Sequence, residues 1–314
     1  MPCSRSLSML TLRTAYGEAM DVIRGIVELK SSRSSWAHPV GLVPTMGYLH
    51  RGHVELVRRA REESATVVAS IFVNPTQFGP NEDFGRYPRA FERDCDMLRE
   101  AGTDVVFAPT PTEMYPSGFS SWVQVEDVAA PLEGASRPNH FRGVATVCNK
   151  LFNIVDPERA YFGQKDAQQV AVIRRMVRDL DMNLEVVVVP TVRESDGLAM
   201  SSRNSYLNDE ERATAPVLYR ALVIAREMWR DGCRDAAAVI RRMSDVIGAE
   251  PLAKLDYASV VDPVSFREVE SLDSPGLAVL AVRLGPTRLI DIMLNRRRAR
   301  HHSDAPSVLG RSLL

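Results

Sequence analysis

LVPTMGYLHRGHVELVRRA, residues 42–60, carries the reading of the whole fold. A short apolar run stops at Pro44, two glycines follow at Gly47 and Gly52, and His50 and His53 stand three residues apart where a helix begins. PVGLV (39–43) has the make-up of a buried strand, and Val54, Val57 and Ala60 recur at helical spacing in a helix predicted from about Gly52 to Glu63. ATVVASIFVN (65–74) is a second β-rich run of the kind covered on both faces in a parallel sheet. Strand, helix and strand within about thirty residues make a βαβ unit.

The alternation continues with a helix near 88–101 ending at Gly102, a strand at 104–109, a helix around 143–155, the strand RAYFGQ, a helix around 167–180 and the strand LEVVVVP (184–190). This predicts an α/β fold, a Rossmann-like doubly wound parallel sheet occupying residues 1–190. Two helical stretches, near 209–231 and 234–248, then precede strands at 255–262, 277–285 and 287–294, which predicts a smaller C-terminal, lid-like α+β domain in residues 191–295. The tail, 296–314, is basic and then Ser- and Pro-bearing, and is expected to fray. MPCSRSLSMLTLRTAYGEAM at the start reads as a loose end leading into a first helix, not as a signal peptide.

Composition bounds the function. At 45% hydrophobic and 25% charged, the 314 residues are those of an ordinary globular protein of two domains. A net charge of -1 argues against a dedicated nucleic-acid or anionic-membrane binder. No apolar run reaches the roughly 18–20 residues of a membrane helix. Cys3, Cys95, Cys148 and Cys233 have no paired spacing, so neither a zinc site nor a disulfide framework is expected. Cys148 reads as a small buried thiol in a helix. Reduced thiols without an export signal make the cytoplasm the expected location.

Four stretches carry chemistry. Around the histidines, glycines let the backbone turn tightly beside a ligand, and free N–H groups at a helix start favour an anion. Two imidazole donors there add contacts to charge building on a phosphoryl oxygen; a lone surface His capping its neighbours is the plainer alternative. IFVNPTQFGPNEDF (71–84) presents Asn74 and Gln77 directly after the second strand, where ligands of open α/β sheets gather, although a polar turn closed by Pro75 explains it equally well. YFGQKDAQQV (161–170) offers Gly163, Lys165 and Asp166 before a helix carrying Gln168 and Gln169. Lysine is a point charge for phosphates, while helix capping alone accounts for the aspartate. GLAMSSRNSYLNDEER (197–212) sets two hydroxyls and Arg203 in a loop able to clamp a triphosphate, with a Ser-rich helix start as the plainer reading.

PTMGYLHRGH, FVNPTQF, HFRGVATV, YFGQKDAQQ and MSSRNSYL, in this order and spacing, resemble the pantoate–β-alanine ligase family over roughly residues 10–295. Similar His-x-Gly-His loops occur across the wider nucleotidyltransferase superfamily, which includes class I aminoacyl-tRNA synthetases. The resemblance implies ATP-dependent condensation of (R)-pantoate with β-alanine through a pantoyl adenylate, releasing AMP and pyrophosphate. It implies an ATP site lined by Met46, Gly47, Tyr48, Leu49, His50, Arg51, Gly52 and His53, by Gly163, Gln164, Lys165 and Asp166, by Val192 through its backbone, and by Met200, Ser201, Ser202 and Arg203. His50, His53, Lys165 and Arg203 are the implied catalytic groups, His53 with a proton-donor role. Gln77 and Gln169 are the implied pantoate contacts, with Gln77 bordering the β-alanine position and Asn74, Arg137 and His140 as further candidates near the substrates. The family often has Glu where Gln164 stands.

Mg²⁺ is expected with ATP. Asp94 lies where some members place a metal-binding carboxylate, but Arg93 beside it is a poor neighbour for a cation, so phosphate oxygens and water are expected to supply most of the coordination. A homodimer through the larger domain is also implied. Among the rivals, an adenylyltransferase for a phosphorylated substrate needs extra cations where this chain offers Gln77 and Gln169. An RNA binder needs a basic face. A non-catalytic homologue need not keep His50, His53, Lys165 and Arg203 together.

Overall fold

A computed structural model describes residues 20–80 and 82–295. Cys3, the N-terminal loose end before residue 20 and the frayed tail expected at 296–314 lie outside the described residues. Strands β1 (Asp21–Ile23), β2 (Val40–Thr45), β3 (Thr66–Ile71), β4 (Val105–Phe107), β5 (Arg159–Gly163) and β6 (Glu185–Val189) form one sheet. Their order is β1-β4-β3-β2-β5-β6, and every pairing is parallel. From β2 the chain steps one way to β3 and β4, then returns to the other side of β2 for β5 and β6. The gap opened by that reversal, at the carboxyl ends of β2 and β5, is where an open α/β sheet binds ligands.

Between the strands run α1 (Ile26–Ser32), α2 (Arg51–Glu63), α3 (Phe91–Ala101), the single turns α4 (Pro111–Met114) and α5 (Glu133–Ser136), α6 (His140–Val155) and α7 (Ala167–Asp179). Successive strand side chains point to opposite faces, and both faces are apolar. Leu42, Val68, Phe107, Ala160 and Phe162 pack with α1, α6 and α7, while Val43, Val67, Ala69, Val106 and Tyr161 pack with α2 and α3. Cys148 is buried in α6, as its apolar surroundings predict.

Pro44 does not end β2 but lies inside it, paired with Ser70 of β3. The proline is accommodated because pairing with β5 covers only Gly41 and Leu42, so the two strands have already parted where its N–H is missing. The helix expected over 209–231 is two helices, α8 (Asp209–Thr214) and α9 (Val217–Arg230), because Pro216 has no N–H to continue the ladder. With α10 (Ala236–Gly248), α9 packs on an antiparallel sheet of β7 (Ala253–Val261), β8 (Gly276–Leu284) and β9 (Thr287–Asn295), in the order β7-β8-β9. Residues after β6 thus build an α+β layer against the end of the parallel sheet where the chain reverses.

Candidate active site

A cleft of about 1410 Å³, including its open mouth, sits at that reversal. Met46, His50, Gly52 and His53 enter it after β2, Asn74 and Gln77 after β3, Gly163 at the end of β5, and Lys165, Asp166 and Gln169 after it. Thr191 and Val192 follow β6, and Met200 to Arg203 close the far wall.

The turn out of β2 is held from behind. Gly47 (φ 83°) and Tyr48 (φ 50°) are both left-handed, and a side chain at Gly47 would crowd Asp94 and Ile71 at 3.1 Å. That turn points two amides at one carboxylate: Tyr48 N–H and Leu49 N–H donate to the two oxygens of buried Asp94, at 2.6 and 2.8 Å. His50 is then the N-cap of α2. Gly52 N–H donates to His50 Nδ1 at 3.1 Å, and His50 N–H donates to His53 Nδ1 at 3.2 Å. A Cβ at Gly52 would lie 2.8 Å from His50 Cε1, so glycine there leaves room for the imidazole.

Both Nδ1 atoms being acceptors, each neutral ring carries its proton on Nε2. Burial, then the charges of His53, Lys165 and Arg93, push His50 down to about 2. Burial and Lys165 push His53 down to about 4 against the pull of Asp166. The pair, 4.1 Å between ring centroids, is therefore two neutral Nε2–H donors at neutral pH.

Gln77 is fixed at both ends. Asn74 Nδ2 donates to its Oε1 at 3.1 Å, which leaves its Nε2 as the group directed to the cleft, 3.2 Å from Met46 Sδ. Asn74 is held in turn: its Oδ1 accepts from Tyr115 Oη at 2.8 Å and Thr76 Oγ1 at 2.9 Å, and its Nδ2 also donates to Gly143 O. The Gln77 carbonyl accepts from His140 Nδ1 at 2.9 Å. His140 Nε2 accepts from Arg137 at 3.1 Å, and burial with the Arg137 charge pushes this ring down to about 4. Arg137 closes the chain with two bonds to Glu82, at 2.8 and 2.6 Å.

Across the cleft, Asp166 begins α7 without a side-chain capping bond, so the capping alternative is not realised, and the residue lines the cleft. Gln168 is buried on the other side and fastens the 128–133 segment through Val128 O and Pro131 O. Met200 N–H donates to Val192 O at 3.0 Å, and Ser202 Oγ donates to Tyr48 O at 3.0 Å, which ties the Ser-Ser-Arg loop to the histidine loop. Arg203 makes two bonds to Asp83, at 3.0 and 2.9 Å.

A family model described as pantoate-beta-alanine ligase matches residues 21–294. The chain belongs to the pantoate–β-alanine ligase family. It is 59% identical over 273 residues to the pantothenate synthetase of Herpetosiphon aurantiacus, covering 87% of this chain and 99% of that protein. Against the pantothenate synthetase of Roseiflexus castenholzii it is 58% identical, covering 87% and 98%. Its fold matches the crystal structure of pantothenate synthetase from Thermus thermophilus with a TM-score of 0.84 at 51% identity, over 87% of this chain and 99% of that one. The pantoate-beta-alanine ligase of Francisella tularensis, whose crystal structure is complexed with beta-gamma ATP and beta-alanine, matches with a TM-score of 0.72 at 34% identity, over 88% and 98%.

Among the residues singled out on resemblance to pantoate–β-alanine ligases, the cleft brings together Met46, His50, Gly52, His53, Asn74, Gln77, Arg137, His140, Gly163, Lys165, Asp166, Gln169, Val192 and Met200 to Arg203. Gly47, Tyr48 and Leu49 shape the turn behind it, with the Leu49 side chain in the core, Arg51 is exposed, and Gln164 is not among the residues lining the cleft. Asp94, considered for a metal, has both oxygens taken by loop amides and is a brace for the histidine turn. Sequence reading missed Asp83, Glu82 and Tyr115, whose partners lie far along the chain.

Proposed function

We propose that this chain catalyses the ATP-dependent condensation of (R)-pantoate with β-alanine by way of a pantoyl adenylate. In the first step a pantoate carboxylate oxygen bonds to the α-phosphorus of ATP and pyrophosphate leaves. In the second the β-alanine amine attacks the activated carbonyl, and AMP leaves with the C–O bond pair. Activation is required because a carboxylate has no competent leaving group, whereas AMP is one. The observation that carries this reading is the convergence of neutral His50 and His53, cationic Lys165 and the Ser201–Arg203 loop on one cleft that also holds Gln77 and Gln169.

In this reading the two imidazole Nε2–H groups and Lys165 bond the phosphoryl oxygens as charge grows on them, and no covalent enzyme intermediate forms. His53 acts as a hydrogen-bond donor from a neutral ring. Gln77 offers an amide N–H to pantoate with Gln169 opposite, Asp166 accepts from the ribose, and the Val192 backbone meets adenine. Among the described residues no three His, Cys, Asp or Glu side chains are grouped to hold a metal ion. Mg²⁺ is accordingly assigned to the incoming nucleotide, coordinated by phosphate oxygens and water. Residues 1–190 serve as the nucleotide- and pantoate-binding domain and 191–295 as its lid, in a cytoplasmic homodimer. Among the described residues no helix is long and apolar enough to cross a membrane.

Incubation with ATP, pantoate and β-alanine, omitting each in turn, tests this. Pyrophosphate release that needs ATP and pantoate but not β-alanine is expected; release that needs β-alanine contradicts the order of steps.

A further inference from the structure

Two neighbouring acids each take hold of one cleft arginine. Glu82 grips Arg137 at the end of α5, and Asp83 grips Arg203 in the turn Ser202–Tyr206, each pair through two hydrogen bonds. Asp83 is the more enclosed partner, with 11% of its side chain exposed against 27% for Arg203. Burial alone pushes the Asp83 carboxyl up, but the Arg203 bonds and charge prevail and hold it below the usual range, so the pair is ionic at neutral pH.

The fork geometry decides what the pair does. Asp83 Oδ2 accepts from Nε and Oδ1 from Nη2. That occupies one edge of a planar group with five N–H donors and leaves Nη1 and the remaining Nη2 hydrogen unpaired by Asp83. The guanidinium is also 6.0 Å from the Tyr87 ring centroid, and Arg203 N–H donates to Ser201 Oγ at 3.3 Å. Arg203 lines the cleft and Asp83 does not.

We infer that Asp83 is a positioning residue, which fixes the Arg203 fork with its other edge toward the triphosphate before nucleotide arrives. An arginine ordered in advance loses less rotamer freedom on binding than a free one. Asp83 touches neither substrate nor reacting atoms; it acts through Arg203. The inference rests on the reading of Arg203 as a phosphate contact.

Single-turnover pyrophosphate release, titrated with ATP and separately with pantoate, tests it in Arg203→Ala, Asp83→Ala, Asp83→Asn, Asp83→Glu and the Asp83→Ala/Arg203→Ala double variant. Expected is a rise of about tenfold in the ATP concentration for half-maximal rate in Asp83→Ala, with the pantoate dependence unchanged. Asp83→Glu recovers most of the loss, and Asp83→Ala adds nothing once Arg203 is gone. If Asp83→Ala does not fold, the isosteric Asp83→Asn carries the same expectation in smaller measure. Tighter ATP dependence in either variant shows the carboxylate competing with phosphate and overturns the inference. A loss that persists on the Arg203→Ala background also overturns it. An unchanged ATP dependence in Arg203→Ala itself overturns the phosphate reading and the inference with it, whereas an effect there with none at Asp83 overturns the inference alone.

Discussion

His50 and His53 are made donors by what sits behind them. Each Nδ1 accepts a backbone N–H, so Nε2–H is what remains for a ligand, and burial keeps both rings neutral. The dependence of kcat/KM for ATP on pH, which reports the free enzyme, should therefore show no histidine inflection near 6.5, because these groups titrate at about 2 and about 4. Bound phosphate favours the protonated ring, so the acid limb of kcat should lie above that of kcat/KM. An inflection near 6.5 in kcat/KM that disappears in His53→Asn contradicts the neutral-donor account. Lys165 supplies the fixed charge beside them. Lys165→Ala should slow adenylation by about 10²–10³-fold while leaving thermal unfolding in place, and near-normal single-turnover pyrophosphate release in that variant contradicts the role.

The histidine turn was legible because its signals are local: Gly, His, Gly and His within a few residues of a strand end and a helix start. Its support was not. Asp94 lies 46 residues from Tyr48, Tyr115 lies 41 from Asn74, and Asp83 lies 120 from Arg203, so only folding brings these partners together. For the same reason β1, three residues long, escaped a reading based on periodicity, since its partner β4 identifies it. As a brace, Asp94 is open to a direct test. Asp94→Ala removes the acceptor of two backbone amides and should cost roughly 2–4 kcal/mol in urea unfolding. ATP should bind more weakly because the turn loosens, with the Mg²⁺ dependence at saturating nucleotide unchanged. A shifted Mg²⁺ requirement without loss of stability would return Asp94 to the metal.

At the level of the entire fold, βαβ alternation was readable as a parallel sheet because the strands from β2 to β6 are apolar on both faces, and the texture after residue 190 was readable as α+β. How the two layers meet was not, because the contacts join residues far apart in the chain: an apolar cluster sets Phe141, Ala171 and Val172 against Phe266, Val279 and Ile292, and an ion pair joins Glu133 to Arg288. Within the second layer, Arg193, which follows β6, makes two bonds to Asp291 of β9, at 2.6 and 2.9 Å, with Asp291 only 1% exposed. Arg288 makes two to Glu133, at 2.8 and 2.7 Å, and Tyr257 Oη adds a third at 2.8 Å. Removing one partner strands the other in the interior, so Arg193→Ala should destabilise the chain by about 3–5 kcal/mol in urea unfolding. Burial already pushes the Asp291 carboxyl up with Arg193 opposing, and without that arginine it should be pushed further up. β9 lies beside the turn Gln164–Asp166, and its Ile290, Asp291 and Ile292 line a neighbouring pocket together with Lys165 and Asp166. The most direct test is a crystal structure with a non-hydrolysable ATP analogue and pantoate. Nε2 of His50 and of His53 should lie about 3 Å from phosphate oxygens, with the pantoate carboxylate in line with the α-phosphorus. A triphosphate bound away from the imidazole pair contradicts the account.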